Sequence, residues 1–132
     1  MVRIEAGFWI VLGLMMLLFP VRFLLGVLLA ALLHEAGHIL ALRLTGGRLL
    51  SVQLHVFGVR IEAAPMEPGR AAICALAGPA AGALVMLAWR WFPELALAGL
   101  LQTAFNLLPI YPLDGWQAVR NICCKLREFG VQ

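Results

Sequence analysis

The sequence is poor in charged residues and lacks a recognisable cysteine pattern. Only 13% of its 132 residues are Asp, Glu, Lys or Arg, whereas soluble globular domains contain about 25%. The basic residues are not clustered, so the net charge of +3 does not indicate a nucleic-acid-binding protein. The three cysteines include no CxxC pair, which argues against a secreted disulfide framework. These absences make a membrane protein the first hypothesis.

Apolar residues make up 63% of the chain and form four long runs. The first run is interpreted as a retained span and not as a signal peptide, because Glu5 precedes it and no small-residue cleavage site follows it. The expected fold class is an all-α polytopic membrane protein with about four transmembrane helices in a single domain. The predicted spans cover approximately residues 4–21, 23–42, 71–89 and 95–113.

The distribution of Lys and Arg between these runs favours one orientation. With the N-terminus in the cytoplasm, two basic residues lie in external turns, Arg22 and Arg90. The other eight lie in cytoplasmic segments, as the positive-inside rule requires: Arg3, Arg43, Arg48, Arg60, Arg70, Arg120, Lys125 and Arg127. We therefore expect a multi-pass protein of the cell membrane with both termini in the cytoplasm.

Two shorter segments carry structural patterns of their own. Residues 48–63 alternate apolar and polar side chains on either side of Gly58, which predicts a small cytoplasmic β-ribbon between spans two and three. Residues 116–129 place apolar side chains on one side of a helix and most basic ones on the other. That pattern predicts an interfacial helix along the membrane surface.

Ionisable residues occur where they are least expected, within the second apolar run. His34 and His38 are four residues apart and therefore project from the same face of a helix. With Glu35 they form an HExxH sequence, in which two imidazoles bind zinc and the glutamate is a general base. The alternative is a buried His–Glu–His network that only joins helices. The cost of a charge in a membrane helix, about 2.5–3.5 kcal/mol, favours a functional site.

A catalytic zinc needs a third protein ligand from elsewhere in the chain. Three residues could supply it: His55, Glu62 and Asp114. Asp114 is favoured, because Pro109 and Pro112 interrupt the fourth run before it and irregular backbone at membrane depth is tolerated only beside a cavity or within protein. The predicted orientation also brings Asp114 to the side where the two histidines lie.

Two further features accompany these residues. Asn106 lies in the fourth apolar run, where a buried amide needs partners. It could bind a substrate backbone, or it could simply join two helices. In the third run, Gly78 and Gly82 form a GxxxG pair that predicts close packing against the HExxH helix.

These motifs together resemble a known family. HEAGH in an apolar helix, followed by LAGPAAG and NLLPIYPLDG, is similar to the site-2 protease family of intramembrane zinc metalloproteases. The VFGVRIEA ribbon and the tail motif most resemble the branch of sporulation factor IVFB. The resemblance implies a minimal site-2 protease domain with Zn²⁺ held by His34, His38 and Asp114, and with Glu35 as catalytic base. It also maps Asn106, the candidate substrate-binding residue, onto the family's asparagine that precedes the Pro-x-x-Pro-Leu-Asp-Gly stretch.

The function implied by the resemblance is hydrolysis of a peptide bond near the cytoplasmic face. The partners would be the lipid bilayer, a regulatory membrane protein and a membrane-associated substrate, such as a pro-sigma factor. Trp116 departs from the family, where a second glycine commonly follows LDG. This departure supports an alternative, a catalytically inactive relative that binds transmembrane segments as a scaffold. A small metal transporter is a third hypothesis, but the outer halves of the spans offer no polar path.

Overall fold

The computed structural model describes the backbone of residues 2–55 and 58–130, and the side chains of residues 5–54 and 59–130. Helices predominate, and a small sheet lies at one end of the helical bundle. The described helices, in chain order, are α1 (Ala6–Leu18), α2 (Val21–Leu44), α3 (Pro68–Val85), α4 (Pro93–Asn106) and α5 (Asp114–Gly130). The described strands are β1 (Val2–Ile4), β2 (Leu49–His55) and β3 (Gly58–Ala63).

The predicted ribbon is present and carries an additional strand. β2 and β3 pair antiparallel, and β1 pairs parallel with the other edge of β2. The first span, predicted from about residue 4, therefore begins later as a helix, because Ile4 belongs to β1 and α1 begins at Ala6. Val2 and Ile4 are β-branched residues that favour extended backbone, and the open edge of β2 provides hydrogen-bonding partners, including a bond from Glu5 N to Leu54 O of 3.0 Å.

α2 is rich in Leu and Ala, which are strong helix formers, and it ends in a Schellman motif. Gly46 adopts a φ of 75°, which only glycine adopts without strain. Gly46 N donates to Arg43 O, and Gly47 N donates to Leu42 O. Because β2 begins at Leu49, only a short turn connects the HExxH helix to the sheet.

Two of the described helices are long and apolar enough to span a membrane: α2, and α3 with the short 3₁₀ turn that extends it, Pro68–Ala88. α1 is apolar but has only 13 residues. α4 has 14 residues and ends at Asn106, so the fourth predicted run is not helical up to residue 113. Crossing of the membrane by α1 and α4 therefore remains a prediction.

The segment between α4 and α5 is irregular, as the two prolines predict. Pro109 and Pro112 lack an N–H and cannot continue the hydrogen-bonding ladder of α4. Asp114 does not end the preceding helix but begins α5, where a carboxylate is favoured by the positive end of the helix dipole. Pro79, by contrast, does not interrupt α3, which runs unbroken past it.

Small residues let the helices approach one another closely. Gly26 packs against the backbone of α4, since a Cβ there would lie 3.1 Å from Glu94 C and 3.1 Å from Leu95 N. Ala30 is completely buried one turn further along α2. Where α4 crosses α3, a Cβ on Gly99 would lie 3.1 Å from Gly82 O. Between α2 and α3, a Cβ on Gly78 would overlap the His38 ring. The predicted glycine packing of α3 against the HExxH helix is therefore present, and similar packing joins α4 to both helices.

α5 packs on α3, and its buried residues are Gly115 and Ala118. Lys125 also pairs with Glu67 at the start of α3, and this hydrogen bond lowers the pKa of the Glu67 carboxyl. α5 also carries an exposed apolar stripe: Trp116, Val119, Ile122, Leu126 and Phe129. The amphipathic helix is thus present from residue 114 to 130, and its position on a membrane surface remains a prediction.

Adjacent cysteines on α5 can test that position, because successive helical residues point about 100° apart. Cys123 follows Val119 by one turn on the apolar side, whereas Cys124 follows Arg120 on the basic side, and both are exposed. In a Cys74→Ala background, we expect a nitroxide on Cys123 (with Cys124→Ser) to collide mainly with oxygen in lipid. A nitroxide on Cys124 (with Cys123→Ser) should collide mainly with a water-soluble nickel complex. Equal exposure of both labels to the nickel complex, measured by EPR in anionic vesicles, would contradict an interfacial α5.

Candidate metal centre

The two histidines of the HExxH sequence point into the helical bundle from α2. His34 is only 1% exposed, although it lies in a helix whose other face is open. His38 follows one turn later, and its Nε2 lies 3.2 Å from His34 Nε2. The helical spacing therefore brings the two imidazoles into a T-shaped contact, with ring planes at 78° to each other and one nitrogen of each ring near the other.

Asp114 completes the cluster from the first turn of α5. Its Oδ2 lies 3.0 Å from His34 Nε2 and 3.1 Å from His38 Nε2. The structure thus brings together the two histidines and the aspartate that the sequence singled out, across 76 residues of chain. One ligand atom from each residue lies within 4.8 Å of the others.

Two glycines leave the space that this cluster needs. A Cβ on Gly78 of α3 would overlap His38 Nε2 and would lie 2.7 Å from His34 Nε2. A Cβ on Gly115 would overlap Leu107 O, because the chain leaving α4 passes directly over the first turn of α5. Gly78 therefore admits the imidazoles, and Gly115 lets the carboxylate of Asp114 reach them.

The second nitrogen of each imidazole has a different environment. His38 Nδ1 lies 2.7 Å from Cys74 O, so it donates its proton to that carbonyl and leaves Nε2 with a free lone pair. His34 Nδ1 is buried and has no hydrogen-bond partner in the described part of the chain. Asn106 Nδ2 lies 3.4 Å from His34 Nε2, which places the amide beside the cluster.

Glu35 is next to the cluster but is not part of it. The carboxylate is partly exposed and interacts electrostatically with His34, His38 and Asp114. Within residues 5–54 and 59–130, no hydrogen bond or ion pair engages it. Its lone pairs therefore remain available to accept a proton, as a general base requires.

The other candidate ligands lie on the sheet. Glu62 of β3 accepts a hydrogen bond of 2.6 Å from Ser51 Oγ, and the structure does not bring it to the cluster. The backbone of His55 ends β2, and its side chain lies outside the described residues.

The sequence did not predict the hydrogen bond from His38 Nδ1 to Cys74 O, because a backbone carbonyl can be provided by any residue type.

The donor set fits a divalent cation such as zinc. In a tetrahedral zinc site with bonds of about 2.0–2.1 Å, neighbouring ligand atoms are about 3.3 Å apart. The three ligand atoms here are separated by 3.0, 3.1 and 3.2 Å. Two imidazole nitrogens and one carboxylate oxygen also match the composition of catalytic zinc sites, which keep a fourth position for water or substrate.

Comparison with solved structures shows that the fold is similar to that of a known protease. The Site-2 Protease from Methanocaldococcus jannaschii superimposes with a TM-score of 0.76 and 20% sequence identity, over 92% of this chain and 66% of that chain. The chain therefore spans slightly less than two thirds of that protease. No protein-family model matches the sequence, and no curated protein matches it. What this chain shares with the archaeal protease is the fold.

Proposed function

We propose that this protein is an intramembrane zinc metalloprotease that hydrolyses a peptide bond of a membrane-associated protein near the cytoplasmic face. The observation that carries this proposal is the meeting of His34, His38 and Asp114 from two separate helices at one point. The fold shared with a site-2 protease supports it. The resemblance in sequence motifs adds a substrate class, a pro-sigma-factor-like protein of the kind that the IVFB branch processes.

In this proposal, His34, His38 and Asp114 would bind the zinc ion, and Glu35 would act as the general base and then as the general acid. A zinc ion bound there supplies polarisation of the scissile carbonyl and lowers the pKa of water to about 7. Glu35 takes a proton from the attacking water as its oxygen bonds to the carbonyl carbon. The same carboxyl then passes the proton to the amide nitrogen as the C–N bond breaks, which releases an amine and a carboxylic acid, and the acid loses its remaining proton to solvent.

Other parts of the chain would hold the substrate in place. Asn106 Nδ2, beside His34, can donate a hydrogen bond to a substrate carbonyl. The edge of β3 that does not pair with β2 offers backbone groups to an extended segment, which suits strand addition. A substrate helix that unwinds near the sheet would thereby expose its peptide bond to the cluster.

An inactive relative that binds transmembrane segments remains the second candidate, and Trp116 favours it. Its bulky side chain occupies the first turn of α5, two residues after Asp114, and is 38% exposed. A scaffold could keep the fold and the metal while this side chain narrows access to them. A cleavage assay distinguishes the two candidates, because only the protease hydrolyses a bound substrate.

Zinc content tests the ligand set without a known substrate. We expect about one zinc per chain in detergent-purified wild type, as a three-ligand site requires. His38→Ala and Asp114→Asn should lose or strongly weaken binding, because each removes one of three ligands. Glu62→Gln is the matched carboxyl-to-amide control and should keep its zinc. Folded wild-type protein without zinc, measured by atomic emission, would contradict the protease.

Cleavage of a reconstituted membrane substrate tests the role of Glu35. Removing a positioned general base typically lowers the rate by about 10²–10⁴-fold, so Glu35→Gln should hydrolyse the substrate at least a hundredfold more slowly. Its zinc content should stay that of wild type, because the carboxylate is not a ligand. Glu94→Gln, at the exposed start of α4, is the control and should cleave normally. Equal rates for Glu35→Gln and wild type would contradict a catalytic Glu35.

A further inference from the structure

His34 and His38 differ in a way that the metal centre itself does not explain. Imidazoles that bind a metal through one nitrogen almost always donate the other N–H to an acceptor, which fixes the ring and increases its basicity. His38 does so through Cys74 O, at 2.7 Å. His34 is the more deeply buried of the two, yet its Nδ1 has no acceptor in the described part of the chain.

A hydroxyl group borders the same glycine of α3 as this nitrogen. Thr103 of α4 is 8% exposed, and its Oγ1 donates to Pro79 O at 3.4 Å. Both polar groups border Gly82 of α3. A Cβ on that glycine would overlap Thr103 Oγ1 and would lie 3.7 Å from His34 Nδ1.

We propose that Thr103 is a positioning residue for the metal centre. The Thr103 hydroxyl and His34 Nδ1 are not hydrogen-bonded to each other in this structure, and in the zinc-loaded protein the hydroxyl accepts the Nδ1 proton of His34. This inference rests on the proposed zinc site, because zinc on Nε2 requires the proton of a neutral imidazole to be on Nδ1. A threonine hydroxyl has one proton and two lone pairs. Its proton already goes to Pro79 O, so a lone pair is available to His34.

The arrangement gives each histidine an acceptor of a different kind. The acceptor for His38 belongs to the backbone and survives any substitution of Cys74. The acceptor for His34 is a side chain, so the hydrogen bond can be removed without touching a ligand. Leaving a buried N–H without a partner carries a desolvation penalty. That penalty should appear as weaker metal binding.

The test compares zinc dissociation constants of Thr103→Val, Thr103→Ala and Thr103→Ser with wild type, by competition with a chromophoric chelator. Valine keeps the shape of threonine and serine keeps its hydroxyl. Loss of such an outer hydrogen bond typically weakens metal binding about 10–100-fold, and we expect that loss for valine and alanine. Serine should stay within about threefold of wild type. If the valine variant does not fold, the alanine variant decides.

A second measurement follows the hydrogen bond itself. The chain has three histidines, so the ring N–H resonance of His34 in the zinc-loaded protein can be assigned by NMR. This resonance should move upfield and exchange faster in Thr103→Val, while that of His38 stays unchanged. A purely structural role of Thr103 would not single out one of the two rings.

The results separate this inference from the function on which it rests. Zinc binding in wild type, with unchanged affinity and His34 resonance in a folded valine or alanine variant, overturns the role of Thr103 and leaves the protease intact. A serine variant as weak as valine also overturns it, because the hydroxyl would then not matter. Wild-type protein that binds no zinc overturns both proposals.

Discussion

The close approach of α3 to α2 is the constraint on which the rest of the structure depends. Gly37 faces α3, where a Cβ would lie 2.6 Å from Ala77 O, and Gly78 faces the imidazoles of α2. A side chain at either position would separate the helices. The imidazoles would then lose the wall that directs them towards Asp114, and α5, which packs on α3, would carry that aspartate away. The geometry of the metal centre therefore depends on the close glycine packing of α2 and α3.

The ligands could be predicted from the sequence because their signals are local. The spacing of His34 and His38 fixes a shared helical face whatever the tertiary structure. Asp114 was identified by its neighbours, since two prolines and a glycine mark an irregular segment next to an acidic side chain. Glu62 and His55 had no such context, and Glu62 is engaged by Ser51 on the sheet. Spacing thus indicates chemistry better than residue type alone.

The features that the sequence did not predict depend on long-range contacts. β1 is three residues long and pairs with the free edge of β2, a contact with residues about 50 positions away that three residues of sequence are too short to predict. The fourth run continues apolar to residue 113, but α4 ends at Asn106, because Pro109 and Pro112 cannot continue its hydrogen-bonding ladder. The carbonyl of Cys74 carries no signal in its residue type. The hydrophobicity of the sequence thus indicates where the apolar runs lie, but it does not fix the residue at which each helix ends.

The cluster also connects parts of the fold that otherwise share little. His34 and His38 belong to the central helix α2, whereas Asp114 begins α5, which packs on α3. The exposed ion pair between Glu67 and Lys125 adds little to that attachment, because solvent and salt screen exposed charges. A metal ion that binds the folded cluster and not the unfolded chain stabilises the fold by mass action. Metal binding would therefore fix α5 against the central helix as well as supply the chemistry, which makes the position of the peripheral helix depend on the occupancy of the site.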